Sequence, residues 1–86
     1  MSKIRNFIDE QGKVISWPAK RSIQKEIVAY IGDKFKENID YTEKEVNEII
    51  KKWILFSDYV LVRRELIIEK KLFRNDAGKC YHRYSI

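Results

Sequence analysis

His82 and Cys80 are two side-chain types that bind metals, and two positions apart on a strand they would share a face. Two ligands do not make a zinc site, and no cluster of Asp, Glu or further His stands near them to complete one. Nucleophilic catalysis has no better footing. The lone His has no evident Ser or Asp to orient it, there is no glycine-rich phosphate loop, and the paired acids of the middle segment belong to a solvated helix. The expectation is therefore no enzyme, no metal and no cofactor. The cations are more informative. Lys20 and Arg21 fall in the first turn of a helix, where positive charge opposes the macrodipole, so local stability would not select them; with the free N–H groups there they could cradle a phosphate. Arg63 and Arg64 lie on a helix that could enter a major groove, where Arg pairs bidentately with guanine or holds phosphates. Lys79 and Arg83 on a hairpin, with Arg74 at its base, could hold backbone phosphates as a wing does. Each group has a plainer reading. Lys20 and Arg21 could simply be solvated, Arg63 could fold back on Asp58 or Glu69, and charge on a hairpin edge guards against strand pairing.

Those cations belong to a chain of 86 residues, the size of one small domain, with 18 Lys and Arg against 13 Asp and Glu for a net charge of +5. The excess favours polyanionic partners without naming one. Its placement is uneven: residues 1–25 carry +4, residues 26–50 carry −4 and residues 51–86 carry +5. A fold that brings the two ends together would present one basic face. A single cysteine excludes an internal disulfide framework and fits a reducing compartment. No apolar run approaches the roughly 18 residues that cross a bilayer, so the expectation is a cytoplasmic protein with no membrane contact.

The elements that must position these residues follow from periodicity. Residues 1–17 read as an N-terminal turn at Asp9 to Gly12 followed by a short strand from Val14 to Trp17, which Pro18 ends. Residues 18–70 hold three helices. In the first, expected from Pro18 to Lys36, Ile23, Ile27, Tyr30, Ile31 and Phe35 stack on one face. Gly32 implies either a close neighbour or a frayed end, and Asn38 is a left-handed stop. The second helix has the strongest start, with Thr42 as N-cap, Glu45 closing a capping box, and Tyr41 stapling onto Val46. Ser57 or Asp58 caps the third, expected to run through Glu69 or Lys70. Tyr59, Val62 and Leu66 form its inner stripe, while Leu61 and Ile68 fall nearly opposite, at about 160–200°. Those two aliphatics either pack under the segment from Ile4 to Trp17 or form a partner surface. Residues 72–84 read as a hairpin: Leu72 to Arg74, a turn over Asn75 to Gly78, and a strand from Lys79 to Tyr84. Alternation sets Cys80, His82 and Tyr84 on one face, with Tyr81 and Arg83 on the other.

Helix, helix, helix, hairpin is the winged-helix order, and particular segments sharpen it. Trp17-Pro18-Ala19-Lys20-Arg21, Tyr41 to Asn47, Asp58-Tyr59 with Leu61 to Leu66, and Gly78 to Tyr81 with Arg83 together resemble a bacterial domain-of-unknown-function family, number 2087. Members occur alone or attached to helix-turn-helix regulators. The chain departs from the family's pattern in two places. Lys70 and Lys71 stand after the third helix, where glycine is usual, so that helix must end without a cheap left-handed residue. Leu55, Phe56 and Ser57 precede Asp58, where His is frequent. The element order together with the resemblance implies an α+β, winged-helix-like fold, and the element reading lets the N-terminal strand complete a small sheet with the hairpin. The resemblance also implies a role in bacterial transcriptional regulation. The leading expectation is duplex DNA binding through Lys20, Arg21, Arg63, Arg64, Lys79 and Arg83. The alternative is a protein-interaction module in which Leu61 and Ile68 dock a regulator domain or a second copy.

Overall fold

In a computed structural model, which describes residues 4–75 and 80–83, three helices and a three-stranded antiparallel sheet make an α+β fold. Helix α1 spans Arg21–Gly32, strand β1 Tyr41–Thr42, α2 Glu43–Trp53, α3 Tyr59–Ile68, β2 Leu72–Arg74 and β3 Cys80–Arg83. Among the described residues no helix is long and apolar enough to cross a membrane.

Helix α1 is shorter than its apolar repeat suggests. Pro18 is buried ahead of it, Lys20 takes the N-cap position without a side-chain cap, and Gln24 reaches back to the Pro18 carbonyl (2.8 Å). At the other end Gly32 closes the helix against a close neighbour: a Cβ there would meet Lys71 Cβ at 3.0 Å. Two further turns, Lys34 N–H to the Ile31 carbonyl and Phe35 N–H to the Gly32 carbonyl, carry Phe35 into the core. Asn38 then takes φ 63° and turns the chain toward β1.

Helix α2 begins as its residues dictate. Thr42 Oγ1 accepts from the Glu45 amide (3.1 Å) while Glu45 Oε1 accepts from the Thr42 amide (2.8 Å), two otherwise orphaned donors satisfied together. Val46 and Ile50 are fully buried. Tyr41 packs against the core, meets Phe35 edge-on at 5.3 Å, and its hydroxyl accepts from the Lys36 amide.

Helix α3 starts at Asp58, whose carboxylate accepts from the Leu61 amide (3.1 Å), and buries Val62 and Leu66, worth about 1.5–3 kcal/mol each in removed apolar surface. It ends at Ile68, one or two residues early, in a Schellman turn: Lys71 N–H donates to the Leu66 carbonyl (2.8 Å) and Lys70 N–H to the Ile67 carbonyl (3.0 Å). Lys70 supplies the left-handed residue itself, at φ 59°. The turn sends β2 back along α3.

The sheet order is β1-β3-β2, with Tyr41 opposite Tyr81, Phe73 opposite His82 and Arg74 opposite Tyr81. The third strand is therefore Tyr41–Thr42, and the N-terminal strand expected from Val14 to Trp17 does not join the hairpin. Val14 is engaged elsewhere: its N–H donates to the Trp53 carbonyl and its carbonyl accepts from Leu55, both at 2.8 Å, at the far end of α2. With its side chain fully buried as well, nothing of Val14 is left to pair with β3. The turn before it is held by Asp9, whose carboxylate accepts from the Gln11 and Lys13 amides, and by Tyr30, whose hydroxyl donates to the Gly12 carbonyl.

Candidate functional site

Three of the six cations expected to form a basic face, Arg21, Arg63 and Arg83, have partners within the fold. Arg21 is exposed at the start of α1, but its guanidinium reaches α3, with Nη1 2.8 Å from Glu65 Oε1 and Nη2 2.8 Å from Glu69 Oε2. Both arms of the fork are filled by carboxylates, so the residue that opposes the α1 dipole is matched by tertiary charge. Lys20, beside it, is exposed and its side chain makes no ion pair among the described residues.

Arg63 does not fold back on Asp58 or Glu69. It turns toward α2, where Nη1 donates to Asn47 Oδ1 and lies 4.0 Å from Glu43 Oε2, its side chain only 20% exposed. The same Glu43 accepts from the Tyr81 hydroxyl (3.2 Å), which ties α2, α3 and β3 together. Arg83, the expected wing cation, donates to the Phe35 carbonyl (3.0 Å) and pairs with Asp33 (3.1 Å), fastening the hairpin to the end of α1. Lys79 lies outside the described residues. Other cations are also held internally: the Lys34 ammonium sits 4.4 Å from the Tyr30 ring centre and 4.2 Å from that of Trp53.

Cys80 is half-buried, and His82 rests against the Phe73 ring (5.0 Å) with Nδ1 3.7 Å from Asp40. No group of three metal-ligating side chains occurs among the described residues.

A different site emerges where the Schellman turn folds β2 against α3. A groove of about 520 Å³ lies between them, lined on the helix side by Val60, Arg63, Arg64, Ile67 and Ile68, and on the sheet side by Leu72, Phe73, Arg74 and Tyr81. Three of the large apolar side chains that remain exposed in the fold meet here: Val60 at 39%, Ile68 at 53% and Phe73 at 41%. Arg64 and Arg74 are exposed beside them and form no ion pair among the described residues. Among the described residues no carboxylate lines the groove; Glu65 and Glu69 face Arg21 on the opposite flank of α3.

Ile68 thus belongs to this surface, as its angle on the helix implies, whereas Leu61 is half-buried and does not line it. Around the helix Leu61 stands within about 20° of Ile68, but seven residues and roughly 10 Å nearer the start of α3. Phe73 and Val60 were not singled out from sequence. Alternation about the buried Leu72 would have turned Phe73 outward, and the spacing of Val60, Arg64 and Ile68 at four residues marks one face of α3.

No curated protein matches the chain, and no solved structure does. The profile of one family, described as uncharacterized protein conserved in bacteria (DUF2087), matches residues 13–83.

Proposed function

The chain belongs to this bacterial family, DUF2087, and from that premise we propose that it is a protein-interaction module whose α3–β2 groove takes an apolar, acidic segment of a partner protein. The observation that carries this reading is the composition of the groove: three arginines, apolar and aromatic side chains and, among the described residues, no carboxylate. Exposed apolar surface gathered in one concavity is the usual mark of a binding site rather than of a solvated face. Arginine and aromatic residues are the types that dominate the energetics of protein interfaces. With Arg64 and Arg74 unpaired among the described residues, carboxylates on the partner would satisfy the rim while its apolar side chains cover Val60, Ile68 and Phe73. The resemblance to domains that occur beside helix-turn-helix regulators supports a regulator as the source of that segment.

Duplex DNA binding is the second reading. The strand between α1 and α2, with α3 followed directly by the hairpin, supports a winged-helix-like arrangement, and Lys20, Arg64 and Arg74 could meet phosphates. Against it, Arg21, Arg63 and Arg83 are already paired, and α3 would have to carry Val60 and Ile68 into the groove of the duplex. Selection of random displayed peptides on the full chain distinguishes the two. Enrichment of sequences with carboxylates beside apolar residues, lost in Ile68→Asp, supports the interaction module. Absence of acidic bias, or binding indifferent to Ile68→Asp, contradicts it. Tight duplex binding that falls steeply with salt would favour the DNA reading.

A further inference from the structure

The chemistry of the groove's walls decides the shape of what can lie in it. Its floor is closed: Leu72 is 0% exposed and Tyr81 1%, backbone included. Above that floor Val60, Arg64 and Ile68 form the helical wall at intervals of four residues, and Phe73 and Arg74 form the wall on the strand side. A guanidinium therefore stands on each rim, Arg64 on one and Arg74 on the other.

A ligand in this groove meets almost no main chain to bond. The Asn75 amide donates to the Cys80 carbonyl (3.1 Å), which makes that a bonded pair of the antiparallel ladder and, by alternation, Phe73 with His82 the next. The backbone of Phe73 is thus engaged by β3, that of Leu72 is enclosed, and the amides of Lys70 and Lys71 close the turn on α3. That leaves Arg74 alone, too short an edge for a further strand to pair with. Side chains add no acceptor: guanidinium groups only donate, the Tyr81 hydroxyl is spent on Glu43, and among the described residues no carboxylate lines the groove. An extended segment pressed against these walls would leave its own N–H groups desolvated and unpaired, at a cost in affinity. A helix carries its main-chain bonds with it and presents only side chains.

We propose that the groove takes an amphipathic helix of a partner protein, laid along α3 with an apolar stripe over Val60, Ile68 and Phe73 and carboxylates on both flanks to meet Arg64 and Arg74. This rests on the groove being the binding site and specifies the conformation and pattern of its ligand. The helical wall from Val60 to Ile68 rises about 12 Å, which matches roughly two turns of a partner helix. Its apolar anchors would then fall at i, i+4 and i+7. Charge selects this occupant over a second copy. Two chains docked groove to groove would bring their Arg64 and Arg74 pairs together, with no lining carboxylate among the described residues to offset them.

The test uses the isotope-labelled full chain and a capped acidic peptide of about twelve residues, too short to be helical alone, with leucine at i, i+4 and i+7 and glutamate on both flanks of that stripe. A second version carries a lactam bridge on the face away from the leucines, which fixes the helix; a third has proline at its centre, which breaks it. Docking as a helix predicts that the bridged peptide shifts the resonances of Val60, Ile68 and Phe73. It also predicts that this peptide binds at least about ten-fold more tightly than the linear one, being already ordered, and that the proline version binds at least about ten-fold more weakly. Ile68→Asp should abolish the shifts. If the linear and proline versions bind in the groove as tightly as the bridged one, the helix is overturned and the groove reading stands. If no version perturbs the groove, both readings fall. A bridged peptide with lysine in place of glutamate that binds equally well would overturn the acidic flanks. A free chain that dimerises through the same residues would assign the groove to a second copy and overturn the partner helix.

Discussion

Replacing Lys70 by glycine is expected to stabilise the domain. Lys70 holds φ at 59°, where an L-residue suffers about 1–2 kcal/mol from the approach of Cβ to the following carbonyl. Glycine escapes that penalty but loses about 0.5–1 kcal/mol through its larger conformational freedom when unfolded. The net gain is about 0.5–1 kcal/mol, because nothing else changes. The capping bonds Lys71 N–H to Leu66 and Lys70 N–H to Ile67 are made by backbone, and the exposed Lys70 side chain forms no ion pair among the described residues. For a domain of this size the gain corresponds to roughly 2–8 °C in Tm. Urea unfolding at constant slope, run beside a thermal scan, measures it. Asn38→Gly is the internal control: Asn38 has nearly the same φ, 63°, but asparagine tolerates that region, so the gain there should be smaller. A Lys70→Gly variant no more stable than the parent, or one that gains no more than Asn38→Gly, would refute the reasoning that the turn between α3 and β2 is strained by its side chain.

Gly32→Ala should lower stability by about 1 kcal/mol in urea unfolding, even though alanine favours helix by a similar amount, since the new Cβ meets Lys71 Cβ at 3.0 Å and that atom cannot swing away; a gain would show that β2 and α3 shift freely. Thr42→Ala should cost about 1 kcal/mol, with Thr42→Ser close to the parent, because the hydroxyl alone accepts from Glu45. Arg21→Ala should cost about 1 kcal/mol or less, the guanidinium being half exposed. A double-mutant cycle with Glu65→Gln should show coupling that shrinks in high salt; no coupling would mean that the pair does not join α1 to α3 in solution.

How far the residues reveal this fold depends on the range of the interaction. The Thr42 and Glu45 capping box is local, three residues apart, and is legible directly; so is Asn38 as a left-handed stop. Lys70 illustrates the limit. The absence of glycine after α3 was visible, but the fold keeps the left-handed turn and imposes it on lysine, because Leu72 must return to the core beneath α3. Strand β1 has two residues, too few for alternation to show, whereas Val14 to Trp17 had a strand's composition and was drawn to the end of α2. Long-range ion pairs were the least accessible. Glu65 and Glu69 lie 44 and 48 residues beyond Arg21, and Asp33 lies 50 before Arg83, so a cation count along the chain cannot tell paired charge from free. That is why Arg21, Arg63 and Arg83 looked available. The groove was half legible: Ile68 stood out on the wrong side of its helix, while Phe73 and Arg74 join it only through the turn at Lys70.

The most direct test of the account is one competition titration on the full chain and on an Arg64→Glu, Arg74→Glu double variant, with the capped acidic peptide and a mixed-sequence duplex as alternative ligands at low and moderate salt. An acidic-segment groove predicts that the parent chain binds the peptide more tightly than the duplex and that the double variant loses the peptide. Duplex binding stronger than peptide binding, falling steeply with salt and abolished in the double variant, would contradict the account and return α3 to the role of a DNA-reading helix.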